Sequence, residues 1–203
     1  HNTAEEIHYH KKAFDFFKRH GPAERIGVTA HNLGESYFHA GQLNQSRQLT
    51  ALAIRLNDSI GNIPVLSACY KVMGMLEKAE GRYDLARRNF EEVLELSNGL
   101  GENSQKIATA ESLIQLAAIC RLTGDEAGQM HYLKSASDFS KKFVLPAHLQ
   151  QAYLELILLS ADRKDMEAVR QYTASYQAIS DSILQRQLHD RYRLTNSVIE
   201  VHR

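Results

Sequence analysis

Tryptophan is absent from this 203-residue chain, proline occurs three times and cysteine twice. Each scarcity excludes something. An all-β domain needs a turn every roughly 8–12 residues, and 11 glycines with 3 prolines do not provide them. Long stretches free of both residues suit helices instead. Charge of one sign is also lacking: 24 basic side chains balance 24 acidic ones. That removes bulk attraction to nucleic acid or to an anionic membrane, and it removes charge-driven disorder. No apolar run reaches the roughly 18–20 residues of a membrane span, the nearest approach being residues 154–161. Cys69 and Cys120 form no CxxC pair, and each lies in an apolar helical pattern. They read as two buried thiols packing as small hydrophobes.

What is present is a repeat. The segment Leu33-Gly34-Glu35-Ser36-Tyr37-Phe38-His39-Ala40-Gly41 recurs 40 residues on as Met73-Gly74-Met75-Leu76-Glu77-Lys78-Ala79-Glu80-Gly81. Leu116 to Gly124 follows 43 residues later, and Leu156 to Lys164 another 40 on, with the turn glycine lost. A second helical pattern stands behind each copy, which makes the unit a helical hairpin. Small residues at Gly34, Gly74 and Ala117 let the first helix approach the second, and Gly41, Gly81 and Gly124 permit the turn. One hairpin cannot bury its apolar faces alone, so neighbours must stack.

The register extends upstream, because Ala13 lies 40 residues before Ala53 and Gly21-Pro22 lies 40 before Gly61-Asn62. Residues 3–20 therefore read as the second helix of a hairpin whose first helix precedes it. With His at position 1, the chain is expected to be a piece of a longer protein.

These features resemble a tetratricopeptide-repeat array with about 40 residues per unit. The match rests on Leu33, Gly34, Tyr37, Gly41 and Ala53, then on Tyr70, Gly74, Gly81, Tyr83, Ala86 and Phe90. Leu116, Ala117, Gly124 and Ala136 carry it on, and Tyr153 with Leu156 ends it. The resemblance implies an all-α, right-handed superhelical solenoid of antiparallel helix pairs. Its parts would be a half repeat at 3–20, repeats at 24–61, 64–101, 104–144 and 147–180, and an extended helix at 181–203, all in one domain. It also implies a non-catalytic scaffold that binds a protein or peptide on the concave face lined by each first helix. Carried over, the candidate contacts are His31, Glu35, Phe38 and His39; Lys71, Met75 and Lys78; Ile114 and Arg121; and Leu154 and Leu158. Lys71, Lys78 and Arg121 would set three cations on one wall, with His31 and His39 beside them, favouring an acidic peptide or a carboxylate. The plainer account is a solvated face. The family's carboxylate clamp pairs a Lys with an Asn one turn later, whereas Met75 follows Lys71, so a clamp is not supported.

No proline or glycine follows Pro146. Residues 166–202 accordingly read as one helix, on the order of 55 Å long at about 1.5 Å per residue. The segment 176–183 and the polar helix after it are similar to a setting found in many Bacteroidetes sensor histidine kinases and related transcription regulators. There such a segment links an extracytoplasmic repeat array to a membrane span and a signalling coiled coil. An ordinary capping helix is the other reading. The resemblance implies a sensory or interaction domain of a two-component signalling protein, periplasmic rather than cytoplasmic, with a homodimer through the last helix as a possible assembly. A cytoplasmic scaffold or a peptide-responsive transcription regulator is the alternative.

The sequence carries no catalytic or metal-binding motif. His8 and His10 point apart on a helix, His31 and His39 are two turns apart, and no HExxH or Cys/His cluster occurs, so the ten histidines read as surface residues and no metal is expected. Gly99-Leu100-Gly101 has no strand before it and reads as an inter-repeat loop. No phosphate-cradling motif, nucleophile elbow or basic stripe appears. The expectations are no cofactor, no catalysis, no nucleic acid and no membrane insertion by this segment.

Overall fold

The computed structural model describes residues 3–97 and 103–201, with side chains to residue 193. Among them are nine helices and no strand: α1 (Thr3–His20), α2 (Ala23–His39), α3 (Leu43–Ile60), α4 (Ile63–Ala79), α5 (Tyr83–Leu96), α6 (Asn103–Thr123), α7 (Glu126–Lys142), α8 (Pro146–Asp162) and α9 (Met166–Val201). The fold is all-α, as its repeats require. Two compact units divide the helices, one running to Asp125 and the other starting at Glu126. The division falls inside the segment expected as the repeat at 104–144. The loop at 99–101 and the helix's last expected residue, His202, lie outside the described residues.

In the first unit each helix packs on the next, α1 through α6, and α2 also touches α4 as α4 touches α6. Contact with both the first and second neighbour is the signature of stacked hairpins. Glycine sets the closeness within each hairpin. A Cβ on Gly34 would stand 2.9 Å from Thr50 Oγ1 of α3, and one on Gly74 would stand 2.9 Å from the Phe90 ring of α5. Thr50 and Phe90 are fully buried under them, so the small residue and its bulky partner are one device. Phe14, Ala30, Leu33, Ala53 and Cys69 make a continuous core across α1 to α4.

The helices stop by a shared bond. The amide of Gln42 donates to the carbonyl of Tyr37 at 2.9 Å, and Arg82 to Glu77, Asp125 to Cys120 and Asp165 to Ser160 do the same at 2.8–2.9 Å. This six-residue closure needs a left-handed residue, supplied by Gly41, Gly81 and Gly124 at φ of +73° to +76°. Where the glycine is missing, Lys164 takes the same conformation at φ 58°, so the turn survives the loss of its usual residue.

In the second unit α8 packs against α7 and α9, burying Leu149, Ala152, Tyr153, Leu156 and Leu159. Pro146 occupies its first turn, where a missing amide costs nothing. Asp165 Oδ1 accepts from the amide of Ala168 at 3.0 Å and caps α9. That helix has 36 residues, about 54 Å at 1.5 Å each. Gln150 ties its first half to α8 by donating to Ser180 at 2.8 Å. From Leu184 to Arg193 every residue is exposed.

Candidate functional site

One helix from each hairpin of the first unit contributes to a shared face. His31 and Lys71 are 40 residues apart on α2 and α4, Glu35 and Met75 likewise one helical turn along, and Glu111 and Gln115 of α6 lie beside Lys71 and Lys78. Lys71 Nζ lies 2.8 Å from Glu111 Oε2 on α6 and 3.4 Å from Glu35 Oε1 on α2. Burial works against the Lys71 ammonium, but the two carboxylates outweigh it and raise its pKa. Lys78 donates to Gln115 Oε1 one step further along. These bonds cross α4 to both neighbours, so the face is pinned as it is formed.

The sequence-expected contacts divide by exposure. His39, Arg121, Leu154 and Leu158 are exposed, and Glu35, Phe38, Lys71, Met75 and Lys78 are half-buried. Ile114 is buried within α6. His31 is also buried, with 8% of its surface exposed, which corrects the reading of the histidines as surface residues. Its Nε2 lies 3.8 Å from Glu35 Oε2, and its Nδ1 is buried without a protein partner. Burial lowers its pKa; Glu35 opposes this, while Lys71 and His10 add to it. Nor is Lys71 one of three cations on a basic wall, because two carboxylates already meet its charge.

Two clusters carry no signal in any single motif. Glu77, 8% exposed at its side chain, accepts from both Arg47 of α3 and Arg82 of the α4–α5 turn, and Glu80 engages the same two guanidiniums. Burial alone would raise the Glu77 carboxyl; the two arginines override it and hold it below its ordinary value. The second cluster joins α1 to α2: the Ser36 hydroxyl lies 2.8 Å from His10 Nδ1 and donates to Glu6 Oε1 at 3.3 Å. Neither the Lys71 bridge nor the Arg47 pairing follows a repeat column, since Glu35 and Lys71, like Arg47 and Glu77, come from different repeat positions.

Both cysteines are free and buried. Burial, with Glu35 adding, pushes the Cys69 thiol up to about 12, and burial also raises Cys120. Both shifts favour the thiol over the reactive thiolate. Among the described residues no group of three His, Cys, Asp or Glu is placed to hold a metal ion. No helix described is long and apolar enough to cross a membrane.

What the fold and this face define is a helical-repeat scaffold. Residues 25–99 match the tetratricopeptide repeat family. BtubC (BKLC) from P. vanneervenii has a similar crystal structure, at a TM-score of 0.72 and 17% identity, covering 90% of this chain and 75% of that one. The nearly identical TPR-like repeats of a Podosopora anserina protein, described as of kinesin light chain type, match in two crystal structures. One, of a variant form, has a TM-score of 0.68 and covers 90% of this chain and 89% of that one; the other has 0.66, with 89% and 88%. Both are 14% identical. A search of the curated proteins finds no match. Residues 25–99 thus carry the tetratricopeptide-repeat pattern, and the chain shares the all-α solenoid fold of these structures.

Proposed function

We infer that the shared face of α2, α4 and α6 binds a protein or peptide segment, and that the exposed side of α8 offers a contact surface of its own. The single observation that carries this is the continuous face itself, one helix per hairpin, locked in register by Lys71 between Glu35 and Glu111. Because those three charges satisfy one another, the ligand's contacts on this face fall to Phe38, His39 and Met75. Leu154 and Leu158 are the corresponding groups on α8. A segment with apolar anchors suits them. The chain serves as the sensory or interaction domain of a larger bacterial signalling protein of the two-component kinase type, with α9 as the element that passes binding on. Support for that second part is the 36-residue span of α9 and its exposed stretch.

A library of twelve-residue peptides displayed on phage, selected on the chain, tests the face. Met75→Glu should weaken the selected peptides about tenfold or more, while Arg88→Glu, on the exposed side of α5, should leave them unchanged. Peptides indifferent to Met75→Glu would remove the face as the binding surface. The complete gene tests the setting: a membrane span and a kinase domain after the array fit a sensor. A gene ending near Arg203 without a signal peptide selects the cytoplasmic scaffold or regulator.

A further inference from the structure

We propose that the groove where α1 and α3 flank α2 is a second peptide site, one that takes an apolar side chain standing between an acidic and a basic residue. Phe14 of α1 and Leu33 of α2, both buried, form its floor, with half-buried Tyr37 beside them. Lys11 and Asp15 stand along the α1 rim, and Gln45 and Gln48 along the α3 rim. None of these residues belongs to the α2–α4–α6 face, so the site is independent of what that face binds.

The repeat shows why this groove stays open. One repeat on, α3 and α5 flank α4 in the same way, and Met73 and Glu77 stand where Leu33 and Tyr37 do. There Arg47 lies across both, with Nη1 3.5 Å from Met73 Sδ and bonded to Glu77. The position forty before Arg47 is Ile7, which packs with the Phe14 cluster. It brings no guanidinium to lie over Leu33 and Tyr37, and the groove there holds about 220 Å³.

Size and charge specify the occupant. Sites that enclose a whole small molecule run to roughly 300–1,000 Å³, so this groove is sized for one large side chain, with the strand that carries it lying along the rim. Among the described residues neither Lys11 nor Asp15 has an ion-pair or hydrogen-bond partner, although only one helical turn separates them. Gln45 donates its amide to Gln42, which leaves its own carbonyl oxygen open, and Gln48 is exposed beside it. Two glutamine side chains on one rim suit the N–H and C=O groups of a bound backbone. Four residues of α1 rise about 6 Å, and two residues of an extended chain span about 6.6 Å. An acid and a base on either side of the anchor therefore fall opposite Lys11 and Asp15, pointing away from the buried side chain.

The probe is the blocked peptide Gly-Ser-Glu-Leu-Lys-Ser-Gly, titrated into the isotope-labelled chain and followed by NMR at the side-chain amides of Gln45 and Gln48. Saturable shifts are expected at both, with a Kd of about 1 mM or lower. Replacing the peptide's leucine by alanine should weaken binding about tenfold. Lys11→Glu should turn the preference about threefold towards a Lys-Leu-Lys peptide, the scale of an exposed ion pair. Met75→Glu should leave the titration unchanged. The proposal fails if neither glutamine shifts at about 5 mM peptide, if the alanine peptide binds equally, or if Lys11→Glu keeps the original preference. It fails also if Met75→Glu abolishes the shifts, because the peptide would then sit on the α2–α4–α6 face.

Discussion

His31 illustrates how much a single residue's role depends on its neighbours. In the sequence it is one of ten histidines on a polar-looking stretch. In the fold it is buried, its pKa lowered by burial. A histidine whose native pKa lies below its unfolded value near 6.5 contributes nothing to pH dependence above that value. Below it the unfolded chain takes up a proton that the native state refuses, so stability falls as pH drops from about 6.5 towards the native pKa. Urea midpoints measured at pH 7.5 and 5.5 should therefore fall less for His31→Gln than for the parent chain. Parallel losses in the two proteins would place the acid sensitivity elsewhere.

At the scale of elements, the joint between successive hairpins is the informative feature. Glu77 sits at the end of α4 with one arginine from α3 and one from the turn behind it. Glu77→Ala would leave the two guanidiniums sharing Glu80 alone, beside a partly buried gap. We expect a loss of about 2 kcal/mol, discounted from the cost of breaking a fully buried pair because Arg47 keeps partial solvent access. Chemical denaturation measures it, and a loss under about 0.5 kcal/mol, the range of ordinary surface substitutions, would mean the cluster is ornamental. The repeat positions themselves were legible at this scale. Gly34, Gly74 and the turn glycines mark where helices approach and stop, since each position has a steric reason for excluding a side chain. The Arg47 cluster was not legible, because its members come from different positions in successive repeats and no period connects them.

For the whole molecule, the question of assembly falls on α9. Leu184, Leu188 and Tyr192 follow one another at four-residue steps, and each is more than half exposed. A bare helix of this kind gains little from its own backbone and more from a partner laid along it. If that partner is a second copy, light scattering should return twice the 23.0 kDa chain mass. The double variant Leu184→Glu, Leu188→Glu should return the single mass with its helicity kept. A parent chain that is monomeric at concentrations near 100 μM, a level ample for a dimer of micromolar Kd, would remove the homodimer.

The sequence by itself determined the helical class, the hairpin period, the turn positions and the long final helix. These follow from local rules: glycine where φ must be positive or a helix must come close, proline where an amide is expendable, apolar residues at helical spacing. Only the tertiary structure decided which charges on the shared face are spent on one another. Lys71 looks the same in sequence whether it faces water or two carboxylates, and Glu35 and Glu111 reach it only once three helices have packed side by side. It likewise decided that Phe14 of α1 is buried while Tyr9 and Phe16 on either side of it stand in solvent, since burial is a property of neighbours and not of the residue.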